Sequence, residues 1–346
     1  MTDKHVVIPI FVPHKGCPFD CIYCNQKSIS GQMDEMTAAG MIKIIDEHLA
    51  SIQKHTHVEI GFYGGSFTGI EKDRQLEYLS LASEYVKDGR VEGIRLSTRP
   101  DYISAEILDY LKQYYVRTIE LGVQSMDEEV LKHSCRGHST EDVLKSSALI
   151  KQWGFTLGIQ TMIGLPGSTR EREFFTAGKV IELSPSIVRI YPTLVIKGTF
   201  LEKMYRESTY IPLTLEDAVD ICSGLLELYA GAGINVIRVG LQPTENINEG
   251  SDVAAGPFHP AFRQLVESRR VLHKLEELME SLDKTEKDFI IYTGTKNVSN
   301  VVGQKRVNLD YLKNKYGLHS LKVTAIADDN PVIRIVGVSS AIAEKY

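Results

Sequence analysis

Apolar runs long enough for buried β-strands recur along the first part of the chain. They cover residues 6–12, 57–63, 93–97, 118–123, 156–163 and 186–191. Amphipathic stretches separate them, such as the one headed by Thr37, which places Met41, Ile45 and Leu49 on one helical face. Strands and helices that alternate at intervals of roughly 30 residues are typical of the βα units of a parallel sheet.

This alternation predicts an α/β fold, a partial (βα)6 TIM-like barrel that residues 1–215 form. The strands are mostly apolar, which fits a sheet covered by helices. Each strand ends in a loop rich in Gly and polar side chains. In βα barrels the chemistry is built from such loops, so we expect the functional site at this end of the strands.

The pattern changes after residue 191. Residues 216–282 are expected to complete the core domain with a helix, a short strand, an irregular stretch at 240–260 and a long helix. Residues 283–346 are predicted to form a small α/β C-terminal domain, with strands at 289–293, 318–327 and 332–338 and a helix at 308–316.

Composition and charge restrict the class of protein. Of the 346 residues, 43% are hydrophobic and 24% are charged, as in ordinary globular domains. Five cysteines are too few for a disulfide framework, the first residues lack the pattern of a signal peptide, and no apolar run reaches the length of a membrane span. We therefore expect a cytoplasmic protein without membrane contact. The net charge of −6 argues mildly against strong non-specific binding of nucleic acid.

Three cysteines follow the first predicted strand at C-x3-C-x2-C spacing: Cys17, Cys21 and Cys24. Thiolates this close together bind soft metals, either zinc or an iron–sulfur cluster. Three thiolates on a four-iron cluster leave one iron open to another ligand. A zinc site would instead need a fourth protein ligand, and His14 or His5 is available for that role.

The cysteine motif resembles the signature of the radical S-adenosylmethionine (SAM) enzymes, in which an aromatic residue, here Tyr23, precedes the last cysteine. The resemblance implies a [4Fe-4S] cluster on the three cysteines and SAM bound to the open iron. It also implies SAM contacts at Gly64, Gly65, Gln124, Arg136 and Gln160. The glycine pair lets the backbone approach a ligand closely, although Ser66 follows it where the family often has Glu. The Arg136 guanidinium suits the SAM carboxylate, which it can bind through two parallel hydrogen bonds.

Further segments resemble the radical SAM core of the Elp3 group, which includes the Elongator catalytic subunit that modifies wobble uridine in tRNA. They are residues 64–68, 97–101, 120–125, 136–138, 164–168 and 191–195, and the similarity covers roughly residues 5–265. The oxygen-independent coproporphyrinogen oxidase group is more distantly similar. Compared with tRNA-modifying Elp3 proteins, the first two cysteines here are closer together. The C-terminal segment shows no acetyl-CoA loop, so we expect no acetyltransferase domain.

The resemblance implies an enzyme that reductively cleaves SAM to a 5′-deoxyadenosyl radical. An external one-electron donor of the flavodoxin or ferredoxin type would supply the electron. tRNA is one candidate for the second substrate. The alternatives are an enzyme acting on a small molecule or peptide, and a zinc-binding adaptor without enzymatic activity.

Two further groups have either a structural or a functional interpretation. Arg99 and Asp101 follow the third predicted strand and form either a local ion pair or part of the site. The tail carries basic residues interleaved with tyrosines: Lys305, Arg306, Lys313, Lys315 and Lys322 with Tyr311 and Tyr316. They form either a solvated helix face or a contact to RNA.

Overall fold

The computed structural model describes residues 5–12, 21–25, 36–53, 56–241, 252–327 and 333–338. Contacts divide the chain into two compact units, each with its own β-sheet. The first comprises Met1–Ala218 and Leu228–Pro260, and the second comprises Val219–Glu227 and Ala261–Tyr346. None of the helices in the described ranges combines the length and the apolar character that a membrane crossing requires.

A seven-stranded parallel sheet curls into a half-barrel in the first unit. The strands of this unit are β1 (His5–Val12), β2 (His57–Gly64), β3 (Gly93–Thr98), β4 (Val116–Gln124), β5 (Thr156–Ile163), β6 (Ile187–Pro192), β7 (Val195–Ile196), β8 (Asn235–Val239) and β9 (Val253–Ala255). All except the short β7 and β9 form the sheet, in chain order. The predicted α/β partial barrel is therefore confirmed, and β8 adds a seventh strand beside β6.

Helices connect the strands, and a polar side chain caps the first turn of each of them except α2. They are α1 (Ala38–Ser51), α2 (Lys72–Lys87), α3 (Ala105–Gln113), α4 (Glu128–His133), α5 (Thr140–Gln152), α6 (Arg170–Glu182), α7 (Phe200–Arg206) and α8 (Leu215–Gly231). The Thr37 hydroxyl accepts a hydrogen bond from the Gly40 N–H at 3.1 Å, so α1 begins where the sequence predicted it. A capping box of Ser139 and Asp142 starts α5.

The two faces of the half-barrel differ in polarity. Apolar residues on one face are fully buried, and Phe62 packs there against Phe67 and against Tyr78 of α2, with ring centroids 4.8 and 6.2 Å apart. Residues of the opposite parity, among them Glu59 and Glu120, carry charges that pair inside the barrel. The strands therefore alternate with period two, which the interpretation of mostly apolar strands overlooked.

The irregular stretch expected at residues 240–260 contains a short strand. β9 pairs antiparallel with β7, with Val195 opposite Ala255 and Ile196 opposite Val253. The expectation of a stretch without secondary structure was therefore wrong for these residues. A two-residue pairing in a Gly- and polar-rich segment gives no periodic signal that a sequence could reveal. Residues 242–251 lie outside the described part of the chain.

The second unit contains a three-stranded sheet with helices on one face. Its strands are β10 (Asp288–Gly294), β11 (Ser320–Ile326) and β12 (Ile333–Gly337), and its helices are α9 (Phe262–Glu280), α10 (Val298–Val302) and α11 (Val307–Tyr316). β10 is central, parallel to β11 and antiparallel to β12. Leu275 and Met279 of α9 share one apolar cluster with Phe289 and Ile291 of β10. This packing groups α9 with the segment after it, whereas the domain boundaries at 215/216 and 282/283 stay predictions.

Candidate active site

The cysteine loop is described from Cys21 to residue 25, and Cys17 lies outside the described residues. Cys21 is buried, Cys24 is half-buried, and neither is in a disulfide. The Cys24 N–H donates to the Cys21 carbonyl at 2.9 Å, which closes a tight turn. Ile22 shares an apolar cluster with Leu201, and the Leu201 N–H donates to the Ile22 carbonyl at 2.8 Å. These contacts fix the two described cysteines beside the barrel.

Arg136 joins the cysteine loop to the end of β4. Its Nη1 lies 3.6 Å from the Cys21 Sγ atom, and its Nη2 donates to the Gly122 carbonyl at 2.6 Å. The side chain is 7% exposed. The structure thus brings together two residues that the sequence assigned to different ligands, a cluster cysteine and a SAM contact.

Gln124 ends β4 in a strained backbone conformation. Its φ of 68° lies in the left-handed region, and the register between β4 and β5 shifts so that Val123 is an extra residue. The side-chain Oε1 is buried and has no hydrogen-bond partner among the described residues. Since buried polar atoms nearly always have a partner, this oxygen marks a place where a ligand can donate a hydrogen bond.

Gly122 is a residue of this site that the sequence analysis missed. A Cβ atom there would lie 2.9 Å from the Arg136 Nη2 atom and 3.1 Å from the Gln124 Nε2 atom. The absence of a side chain therefore lets both groups converge at the end of β4. Its position two residues after Glu120 on the same strand is the signal that could have identified it as facing inward.

Gly64 and Gly65 lie at the end of β2, beside the end of β1. Gly64 has a φ of 101°, and a Cβ atom there would lie 2.9 Å from the Val12 carbonyl oxygen. The Gly65 N–H points to the same oxygen at 3.4 Å. Both the dihedral angle and the close approach require glycine at position 64, whether or not a ligand is present. The SAM contact of the pair stays a prediction.

Gln160 faces into the half-barrel, as the sequence predicted for its position on β5. Its Nε2 donates to the Ser97 Oγ at 2.9 Å and lies 3.4 Å from the Glu120 Oε2. These partners come from β3 and β4, so the amide belongs to a polar network across three strands. A contact with SAM stays a prediction.

The centre of this network is Glu120, a buried carboxylate between two arginines. Arg189 of β6 donates to it from Nε at 2.5 Å and from Nη2 at 3.1 Å. Arg95 of β3 lies 3.4 Å from the same carboxylate and 2.6 Å from Glu59 of β2. The sequence analysis found neither arginine, because their partners are far away in sequence. Charged residues at every second strand position were the available signal.

Burial changes the protonation of two side chains near these strand ends. The pKa of His138 is lowered to about 3, first by burial and then by the positive charges of Arg136 and Arg99, so this imidazole is neutral. The pKa of Glu173 is raised to about 7 by burial. Hydrogen bonds from Gly164 N–H and the Ser168 hydroxyl stabilise its ionised form and limit that rise.

Two alternatives from the sequence are decided by contacts. Arg99 and Asp101 form a two-pronged ion pair, with both N···O distances at 2.9 Å. His5 hydrogen-bonds Glu59 at 2.8 Å at the start of β1, and the cysteine loop follows the end of that strand. Eight strand residues span about 25 Å, so His5 does not reach the cysteines as a fourth zinc ligand. His14 lies outside the described residues.

The sequence matches two family models in succession. Residues 11–176 match the radical SAM superfamily, and residues 185–271 match the Radical_SAM C-terminal domain. The chain therefore belongs to the radical SAM superfamily, and this membership supports enzymatic activity. The superfamily implies SAM and an iron–sulfur cluster as cofactors.

Within this superfamily the chain is homologous to Elp3 proteins. It is 28% identical over 261 residues to the tRNA uridine(34) acetyltransferase of Methanocaldococcus infernus, covering 63% of this chain and 48% of that protein. It is 33% identical over 139 residues to Elongator complex protein 3 of Homo sapiens, covering 39% and 25%. The chain thus spans about half or less of these two relatives.

A solved structure shares the fold. The archaeal Methanocaldococcus infernus Elp3 with an N-terminal deletion (1–46) superposes with a TM-score of 0.60 at 21% identity, over 82% of this chain and 65% of that chain.

Proposed function

We propose that this chain binds a [4Fe-4S] cluster and SAM at the end of the half-barrel. The residues that would hold the cluster are Cys17, Cys21 and Cys24, and those that would hold SAM are Gly64, Gly65, Gln124, Arg136 and Gln160. One observation carries the proposal: Arg136 contacts both the Cys21 thiol and the end of β4 beside Gln124. That contact supports a single site for the proposed cluster ligands and the proposed SAM residues.

The described residues fit these cofactors on three grounds. Cys21 and Cys24, which lie in one turn with two residues between them, supply soft thiol ligands. The buried Gln124 Oε1 offers an acceptor to a donor on a ligand. Gly64 and Gly122 leave space where a Cβ would collide with the backbone or with Arg136. A zinc-binding adaptor would have no need of the second feature, whereas the fold itself requires the glycine at position 64.

The chain's own residues bind and orient ligands at this site and exclude water from it. Arg136 contacts the Cys21 Sγ atom and can bind a ligand carboxylate at its guanidinium. Neutral His138 adds no further positive charge beside it. The Glu120 network lies inside the barrel and fixes Gln160 through two contacts. When bound, the two cofactors supply reductive cleavage of SAM to a 5′-deoxyadenosyl radical.

An anaerobic assay tests this chemistry. The protein is reconstituted with iron and sulfide, then given dithionite and SAM, and 5′-deoxyadenosine is measured. We expect the product from the wild-type chain and from Cys135→Ala, because Cys135 is exposed and lies outside the motif. Cys24→Ala is expected to abolish both the cluster absorbance and the product. Zinc in the purified protein with no product from the wild type would contradict the proposal.

The proposed second substrate is RNA, with tRNA as the first candidate. The similarity to tRNA uridine(34) acetyltransferase supports it. A small molecule or peptide is the alternative, which the net charge of −6 favours. A gel-shift assay with bulk tRNA distinguishes them, since absence of binding at moderate salt argues against RNA. The proposed electron donor is an external flavodoxin or ferredoxin, tested by replacing dithionite with either protein.

A further inference from the structure

The three-stranded sheet of the second unit has one covered face and one exposed face. α9, α10 and α11 contribute Leu275, Val301 and Leu309 to a single apolar cluster with Phe289 and Leu321 of the sheet. These strand residues share one parity, so the residues between them point to the opposite side. That opposite side is called here the open sheet face. Its residues are Ile290, Tyr292, Lys322, Thr324, Arg334 and Val336.

Strand register places an aromatic ring between two basic side chains on the open sheet face. Tyr292 of the central strand lies opposite Thr324 on one side and opposite Arg334 on the other. Lys322 lies beside Tyr292 on the diagonal, since its direct partner is Ile290. Neighbouring strands are about 4.8 Å apart, so both basic groups lie within one nucleotide's reach of the ring.

The exposure of these residues fits a surface for a partner. Lys322, Thr324 and Arg334 are exposed, and Tyr292 is half-buried. Asp288, at the start of the central strand, has the same parity, and His319 Nδ1 lies 4.0 Å from it. Among the described strand residues of this face, the basic side chains lie around Tyr292 and the acidic Asp288 lies at the end where β10 begins.

The charge of the segment points to an anionic partner. Residues 283–346 contain ten Lys and Arg against seven Asp and Glu, a net charge of +3 in a chain whose total is −6. A basic segment on an acidic chain is the charge distribution that attracts phosphates.

The tyrosines on α11 are less available for this role. Tyr311 donates to Glu276 at 2.8 Å, and Lys315 lies 2.6 Å from the same carboxylate. Two of the side chains that the sequence suggested for RNA contact therefore pair within the protein. The open sheet face carries two further basic side chains, Lys322 and Arg334, at exposed positions.

We propose that the open sheet face binds a single-stranded segment of RNA, with one base stacked on Tyr292 and flanking phosphates on Lys322 and Arg334. An aromatic ring on a sheet between basic side chains is the arrangement that recognises unpaired bases, because each base has a π-face and each phosphate a charge. This inference rests on the proposal that RNA is the substrate, and it adds the surface that holds a part of it.

Fluorescence anisotropy on the full chain tests the proposal with two probes, a labelled single-stranded RNA of mixed sequence and labelled tRNA. Tyr292→Ala is expected to weaken binding on the order of tenfold, and Tyr292→Phe, which keeps the ring, to bind as the wild type does. Lys322→Ala is expected to lower the slope of log affinity against log salt by about 0.7, as for one lost phosphate contact.

Lys284→Ala is the matched control, because Lys284 is exposed in the same unit but precedes the sheet. It removes the same charge and is expected to leave the slope unchanged. The proposal is overturned if the wild type binds neither probe. It is also overturned if Tyr292→Ala and Lys322→Ala bind RNA as the wild type does; lost activity would then indicate a protein partner on this face.

The formation of 5′-deoxyadenosine without RNA is measured on the same variants. All of them are expected to retain it, because none of the changed residues lies in the half-barrel. Loss of RNA binding with retained SAM cleavage therefore tests this surface alone. Absence of SAM cleavage in the wild type would reject the proposed chemistry and leave the RNA measurement interpretable.

Discussion

The interior of the half-barrel and the open sheet face use the same strand alternation for opposite purposes. In both sheets one parity is apolar and packs on helices, and the other carries charged side chains. Inside the barrel the charges alternate in sign, so that Glu120 lies between Arg95 and Arg189. On the open sheet face Lys322 and Arg334 flank an uncharged ring. Oppositely charged groups that pair with each other make the barrel more rigid, whereas groups of one sign attract a partner of opposite charge.

The comparison is tested most strongly at Glu120. Glu120→Gln would leave Arg95 and Arg189 buried with no carboxylate between them. Breaking a buried ion pair by removing one partner costs about 3–5 kcal/mol, so we expect a loss of that order in the free energy of unfolding. Urea unfolding followed by circular dichroism measures it.

The matched control is Glu84→Gln, which removes an exposed carboxylate paired with Lys87 on α2. Solvent screens that pair, so only a small change is expected. If the two variants lost equal amounts of unfolding free energy, the charges inside the barrel would be no more strongly coupled than charges on the surface.

Gly122→Ala addresses the part of the interior closest to the proposed cofactor site. The added methyl group would lie 2.9 Å from the Arg136 Nη2 atom, so the guanidinium has to move away from the end of β4. We expect the affinity for the cluster, measured by iron content after reconstitution, to fall on the order of tenfold, as for a lost outer-shell partner of a metal ligand.

Gly178→Ala is the corresponding control within the same unit. Gly178 lies in α6, and nothing approaches within 4 Å of the position of its added Cβ. This change should stabilise the protein by about 0.5–1 kcal/mol without altering iron content, because alanine lowers the entropy cost of forming a helix. A loss of iron in this variant would mean that the assay reports general stability.

Glu173 is a buried carboxylate of the first unit that accepts hydrogen bonds from the uncharged Gly164 N–H and Ser168 hydroxyl. Its burial predicts that the stability of the protein depends on pH. Its pKa is raised from 4.5 to about 7, so between these values the folded protein holds a proton that the unfolded chain has released. The free energy of unfolding should therefore fall as the pH rises through this window, by about 3 kcal/mol in total, and level off above it.

Measuring the free energy of unfolding at about pH 5 and at about pH 8 checks whether it falls as the pH rises. Glu173→Gln retains an amide oxygen for the Gly164 N–H and the Ser168 hydroxyl but cannot ionise. Its stability should not show the decrease seen in the wild type. If wild type and variant fall in parallel, other groups cause the dependence.

The smallest expected effect is on the stability contributed by the open sheet face. Lys322→Ala and Arg334→Ala change exposed positions, so each should alter the free energy of unfolding by no more than about 0.5 kcal/mol. Thermal unfolding of both variants measures it. A large loss would show that these charges support the sheet itself, as those in the barrel do, and would weaken the case for a partner.

The strand order and most helices followed from periodicity in the sequence. Apolar runs bounded by Gly and polar loops located β1 to β6, and Thr37 located the start of α1. α5 begins at Thr140, as its sequence pattern indicates, and the Ser139 side chain caps its first turn.

The site was predictable only in part. Arg136, Gln124 and the cysteines stood out by their residue types in strand-end loops, and resemblance assigned their roles. Arg95 and Arg189 did not, because the pairing of Arg189 with Glu120 joins residues 69 apart in sequence. Strand curvature and register decide that pairing, and a sequence pattern does not show which distant residues come close in space.

The extra residue in β4 has a consequence for how the chain tolerates length changes. Val123 lets Gln124 end the strand beside Gly122, out of the regular alternation. A deletion of Val123 would restore that alternation and turn the Gln124 amide toward the helices. Substitutions at this strand end adjust one contact at a time, whereas a single codon removed there would reorient the amide in one step. Codon deletion in homologous genes should therefore be rarer here than in the loops that follow.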